Sequence, residues 1–110
     1  MKLLSQEKYP EKLKHTYYNL KYVYDQIDDK YPGQNTPEVR KELLETLQAV
    51  LEYEKLKDLV YDYSVVCDES NNPPSQIDKG FVMFDVWVCY EATGELFRIF
   101  RSDEDLSFDA

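Results

Sequence analysis

Residues 61–88 read YDYSVVCDESNNPPSQIDKGFVMFDVWV, and the fold turns on how this stretch is parsed. Its opening alternates. Tyr61, Tyr63, Val65 and Cys67 fall on one side and Val60, Asp62, Ser64 and Val66 on the other, which predicts a strand over Val60–Cys67. Its close, Phe81–Cys89, is the strongest strand signal in the chain. Val82, Phe84, Val86 and Val88 make one apolar face, and Phe81, Met83, Asp85, Trp87 and Cys89 make another that is nearly as apolar. Such a strand is either covered twice or keeps one face for a partner. Between the two, Asp68–Gly80 is a long connection rich in turn formers, with Asn72 pushed to an extended conformation by Pro73.

Working outward toward the C-terminus, Glu91–Gly94 reads as a hairpin turn and Leu96–Arg101 as a third strand. Phe97 and Ile99 lie on one side of it, and Leu96, Arg98 and Phe100 on the other. Ser102–Ala110 reads as an acidic tail outside the sheet, mobile or held by a partner through Leu106 and Phe108.

Toward the N-terminus the period changes to that of helices. Leu13, Tyr17, Leu20, Tyr24, Ile27 and Tyr31 recur at alternating spacings of four and three, the seam of a helix packed lengthwise on a neighbour. Tyr18 and Tyr22 widen this stripe, and Pro10 suits a first helical turn after a lead-in over residues 1–9. Pro32-Gly33-Gln34-Asn35 stops the helix. Thr36 then caps a second helix with Pro37 at its first position and Glu38 in its first turn. That helix runs to about Tyr53, or as far as Asp58, with Val39, Leu43, Leu44, Leu47, Val50 and Leu51 as its apolar face. The expected fold is α+β in a single domain over 1–110. An antiparallel helix hairpin (10–58) packs on a small three-stranded antiparallel sheet (60–101), in the order ααβββ.

The chain has 110 residues and a formal net charge of -9. Residues 1–60 carry 10 Lys/Arg against 11 Asp/Glu, whereas residues 61–110 carry 3 against 11. The acidic half repels phosphate, so direct nucleic-acid binding is not expected. In its simplest reading the charge serves solubility; in a sharper one it is an acidic face that docks on a basic partner. No apolar run reaches the length of a membrane span. Cys67 and Cys89 lack metal-ligand spacing and share the chain with a single histidine, His15. Neither a metal site nor a cofactor is expected, and the thiols read as small buried hydrophobes. No cysteine or serine has a histidine base nearby in sequence, since His15 sits beside Lys14 and Thr16, and no phosphate loop is present, so an enzyme is not expected.

One string in the opening stretch carries a family likeness. Tyr63, Val65, Cys67 and Asp68 end a strand, Asn71-Asn72-Pro73-Pro74 turns, and Ile77-Asp78 leads to a second strand at Gly80–Val88. With the helix at Val39–Leu56 before it, this arrangement resembles the C-terminal domain of contractile-phage tail sheath proteins over residues 38–89. Three departures stand beside the likeness. The large sheath domains are absent, Cys89-Tyr90-Glu91 stands where that family has a proline-containing segment, and the first helix has no counterpart. The resemblance implies a phage structural or assembly protein, in the virion or the host cytoplasm, that exchanges strands with copies of itself or with other tail proteins and so forms homo-oligomers. An exposed sheet edge is compatible with this mode. The acidic half supports a different class: a small phage-encoded inhibitor that covers a basic nucleic-acid-binding surface of a host enzyme. The residues expected to carry interaction are Asp68, Asn71, Asn72, Pro73, Trp87, Leu106 and Phe108.

Overall fold

The computed structural model describes residues 11–101 and 106–109, with the side chains of Phe108 and Asp109 outside the described set. Its elements are α1 (Glu11–Lys30), α2 (Pro37–Leu56), β1 (Asp62–Val66), a four-residue α3 (Pro74–Ile77), β2 (Asp85–Cys89), β3 (Leu96–Arg101) and β4 (Leu106–Asp109). The lead-in 1–9 and Pro10 lie outside the described residues. Two helices followed by an antiparallel sheet make an α+β fold.

The sheet is a meander in the order β1-β2-β3-β4, with four strands among the described residues rather than the expected three. The correction lies in the acidic tail. Leu106–Asp109 folds back antiparallel on β3, pairing Arg101 with Leu106 and Ile99 with Phe108. Leu106 is buried, 3% exposed, and its carbonyl accepts a hydrogen bond from the Tyr17 hydroxyl at 3.1 Å. The Leu106 side chain and the paired backbone of Leu106–Asp109 join this segment to the chain's own core and sheet.

The helix signals act as read. Thr36 accepts from the Val39 amide at 3.2 Å, which satisfies one of the first-turn donors, and Pro37 follows it. The far end of α2 closes on Asp58, which takes a left-handed φ of 60°. There the Leu59 amide donates to the Glu54 carbonyl and the Asp58 amide to that of Lys55, the paired bonds of a Schellman stop.

One core joins helices and sheet. Leu13, Leu20, Val23 and Tyr24 of α1 and Val39, Leu43, Leu47 and Leu51 of α2 meet Phe84, Val86, Val88 and Ile99. The tyrosines of the α1 stripe use their hydroxyls at its rim. Tyr24 accepts from Arg101 at 3.0 Å, and burial raises its pKa above the ordinary value. Tyr18 and Tyr22 stay exposed. The second strand is shorter than expected, beginning at Asp85 rather than Phe81. In the segment before it, side-chain amides rather than a strand bond the backbone. Asn72 binds Met83 N and O, while Asn35 and Gln76 both donate to the Phe81 carbonyl.

Candidate interaction surface

The connection from β1 to β2 is built on two asparagines. Asn72, 1% exposed, donates from Nδ2 to the carbonyls of Asp68 and Met83 at 2.9 and 3.0 Å. Its Oδ1 accepts from the Met83 amide at 2.8 Å and from Asn35 Nδ2 at 3.0 Å. Asn35 is fixed in turn by the buried Arg40, whose Nη1 donates to Asn35 Oδ1 at 2.6 Å. Asn71 closes the end of β1, donating to the Val66 carbonyl and accepting from the Asp68 amide. The Asp68 carboxylate caps the Ser70 amide and hydroxyl, and those two bonds hold its pKa below the ordinary value. Pro73 is exposed at the start of α3.

The sheet has two unlike faces. Toward the helices, Val86 and Val88 are fully buried. On the other side Ser64, Trp87 and Arg98 stand in register across β1, β2 and β3, and Asp62, Cys89 and Leu96 form the next row. Trp87 is 37% exposed, Tyr61 54% and Leu96 57%. Together with Tyr63, Ser64 and Ala92 they border an open groove of about 540 Å³. Arg98 organises this face. Its guanidinium pairs with Asp85 and lies 4.2 Å from the Phe100 ring centroid and 5.7 Å from that of Trp87. A positive group over an aromatic ring is attracted by the ring quadrupole, so Arg98 helps to hold the partly exposed Trp87 ring in place. Among the described residues, β1 has no strand neighbour on its outer side.

The expected interaction residues thus divide. Asp68, Asn71, Asn72 and Pro73 sit together in one connection, with Asn72 buried and bonded inside it. A thread runs from them to Trp87, since Asn71 Nδ2 lies 3.5 Å from the Asp85 carboxylate that Arg98 grips. Leu106 is apart, against α1, and the Phe108 side chain lies outside the described residues, as do Asp103, Glu104 and Asp105.

Three features escaped the sequence reading. Leu96 joins Trp87 because strand pairing sets it across from Cys89, and Tyr61 borders the same groove, which no local pattern reveals. Glu54, 2% exposed, continues the buried stripe Leu47, Leu51 by a step of three; a carboxylate where the period calls for an apolar residue was the available signal. Arg40 is buried for the sake of Asn35 and left no such trace.

Cys67 and Cys89 are free thiols, and burial pushes the Cys67 pKa up to about 12. Among the described residues no cluster of His, Cys, Asp and Glu could hold a metal ion, and no helix is long and apolar enough to cross a membrane. Compared with known proteins, the chain matches no family model, no curated protein and no solved structure.

Proposed function

We propose that this chain is a protein–protein assembly module, a phage structural or assembly protein of the contractile-tail type, that binds copies of itself through the outer face of its sheet. The observation that carries the reading is the exposed pair Trp87 and Leu96 on the face turned away from the helices, in a groove that the exposed Tyr61 also borders. Exposed aromatic side chains beside a strand with no outer neighbour suit a contact that combines side-chain burial with backbone pairing. The sheath-like string over 63–88 supports the same reading, because its asparagines fix the connection from which β2 and Trp87 project. The helix pair belongs to it as an antiparallel hairpin closing the opposite face: Thr16 meets Glu54 at one end, and Lys30 meets Glu42 at the other.

The inhibitor alternative draws less support. Asp62 and Asp85 are paired with Lys55 and Arg98. Glu69 and Asp78 sit at the Val66–Asp85 end of the sheet, and Glu91 and Glu95 at the Cys89–Leu96 end. Among the described residues, carboxylates divided in this way do not form a single row along one face.

Light scattering on the purified protein over a range of concentrations tests the proposal. Defined oligomers, rings or tubes should form, and Trp87→Ala should return the monomer mass while leaving the thermal midpoint within a few degrees of the parent. A parent that stays monomeric at every concentration would overturn the reading.

A further inference from the structure

The groove between the two helices holds an unmet demand. Among the described residues, Oε2 of Glu54 is a buried side-chain oxygen with no hydrogen-bond partner. Its sister oxygen is satisfied: Oε1 accepts from the Thr16 hydroxyl at 2.9 Å, and Thr16 accepts from the Tyr90 hydroxyl at 3.0 Å. The Glu54 carboxyl is therefore bonded through one oxygen and unpartnered at the other, which is shielded from solvent, so a guest reaches it only by displacing a lining side chain. Glu54 lines a groove of about 470 Å³, bordered by Val23 and Val50 and by Tyr22, Tyr53 and Leu59 at its exposed outer side. That volume falls in the range of about 300–1,000 Å³ typical of small-ligand sites.

The lining specifies the ligand's chemistry. A buried carboxylate rejects anions and needs a donor, ideally a cationic one. Apolar walls ask for a short aliphatic stem behind that donor. Phenol rings suit a passing cation, and the Tyr53 ring already has the Lys57 ammonium 5.6 Å from its centroid. The net charge of -9 raises the local concentration of cations. Leu59 is held over the groove by its amide's bond to the Glu54 carbonyl at 2.8 Å. Its side chain is partly in solvent and can turn aside to admit a guest.

We propose that this groove binds a primary alkylammonium group, whose N–H donates to Glu54 Oε2 while its alkyl stem lies between Val23 and Val50. The site is independent of the outer sheet face and acts whether or not the chain assembles through Trp87.

The test is an NMR titration of the full chain with n-butylammonium, with n-butanol as the neutral isostere. Saturable shifts of the Val23, Ala49, Val50 and Leu59 methyl signals are expected with the ammonium and not with the alcohol. Glu54→Gln, which keeps the shape and can still bond Thr16, should weaken binding about tenfold or more. Should that variant fail to fold, Ala49→Trp at the exposed lining blocks the groove and should abolish the shifts. Nα-acetyl-lysine-N-methylamide separates the sources of the group. Tighter binding than n-butylammonium assigns the groove to a lysine side chain of a partner chain, and weaker binding assigns it to a free amine. The proposal is overturned if no saturable shift occurs, if n-butanol produces the same shifts, or if Glu54→Gln binds as tightly as the parent.

Discussion

Asn72 binds two carbonyls and one amide of the backbone with a single amide side chain, and it does so out of reach of water. Each buried polar group left unpaired costs about 1–3 kcal/mol. Asn72→Ala should therefore destabilise the fold by about 2–4 kcal/mol, read as a lower urea midpoint at an unchanged slope. Asn72→Asp keeps the acceptor for Met83 and loses both donations, so it should cost nearly as much. A loss well below 1 kcal/mol for either would mean that water replaces the side chain. The asparagines were legible in sequence as turn residues, but their partners were not. Nothing local in Asn35 or Asn72 announces that they meet across 37 positions of chain. Glu54 marks the same limit from the other side: its place on the apolar stripe was visible, and its bond to Thr16 belongs to the packing of two helices.

At the scale of elements, the most exposed weakness is the stop of α2. Asp58 holds a φ of 60°, a region that costs most L-residues about 1–2 kcal/mol and glycine nothing. Asp58→Gly should stabilise the protein by about 0.5–1 kcal/mol, seen as a rise in thermal midpoint, whereas Asp58→Val should lower it. The start of α2 was readable because Thr36, Pro37 and the apolar steps that follow all point the same way, whereas its end at Leu56 was bracketed only between Tyr53 and Asp58. Two short elements escaped the sequence reading: α3, a single turn inside the stretch read as a connection, and β4, four residues after an acidic break, whose alternation is too short to register. The start of β2 was misplaced for a chemical reason. Phe81–Phe84 has strand-like residues, yet Asn35, Asn72 and Gln76 take the hydrogen bonds that a neighbouring strand would make to Phe81 and Met83.

For the molecule as a whole, stability should fall at alkaline pH. Burial raises the pKa of Cys67 from 9.0 to about 12, and it raises those of Tyr24 and Tyr90 as well. These groups are neutral when protonated, so above pH 9 the unfolded chain gives up the Cys67 proton while the folded chain retains it. Stability is thus unaffected by Cys67 below about pH 9 and declines as pH rises toward 12, by at most about 1.4 kcal/mol per pH unit from this thiol. Urea midpoints measured between pH 8 and 11 should show the decline, and Cys67→Ala should make it shallower. A flat profile would mean that the thiol meets solvent.

The bend between the helices and the connection before β2 are one joined piece. Asn35 reaches Asn72 and the Phe81 carbonyl, and Gly80, at φ 79°, lies so near Gly33 that an added Cβ would stand 3.2 Å from its carbonyl oxygen. The chain is therefore joined backbone to backbone at that end, whereas at the other the hairpin tip Glu91–Glu95 is exposed beyond Tyr90, whose hydroxyl bonds Thr16. For anyone wishing to recut this polypeptide, the two ends are not equivalent. A graft, a tag or a fresh pair of termini belongs at Ala92-Thr93, while the same insertion at Gly33 would unfasten the helices and the sheet together.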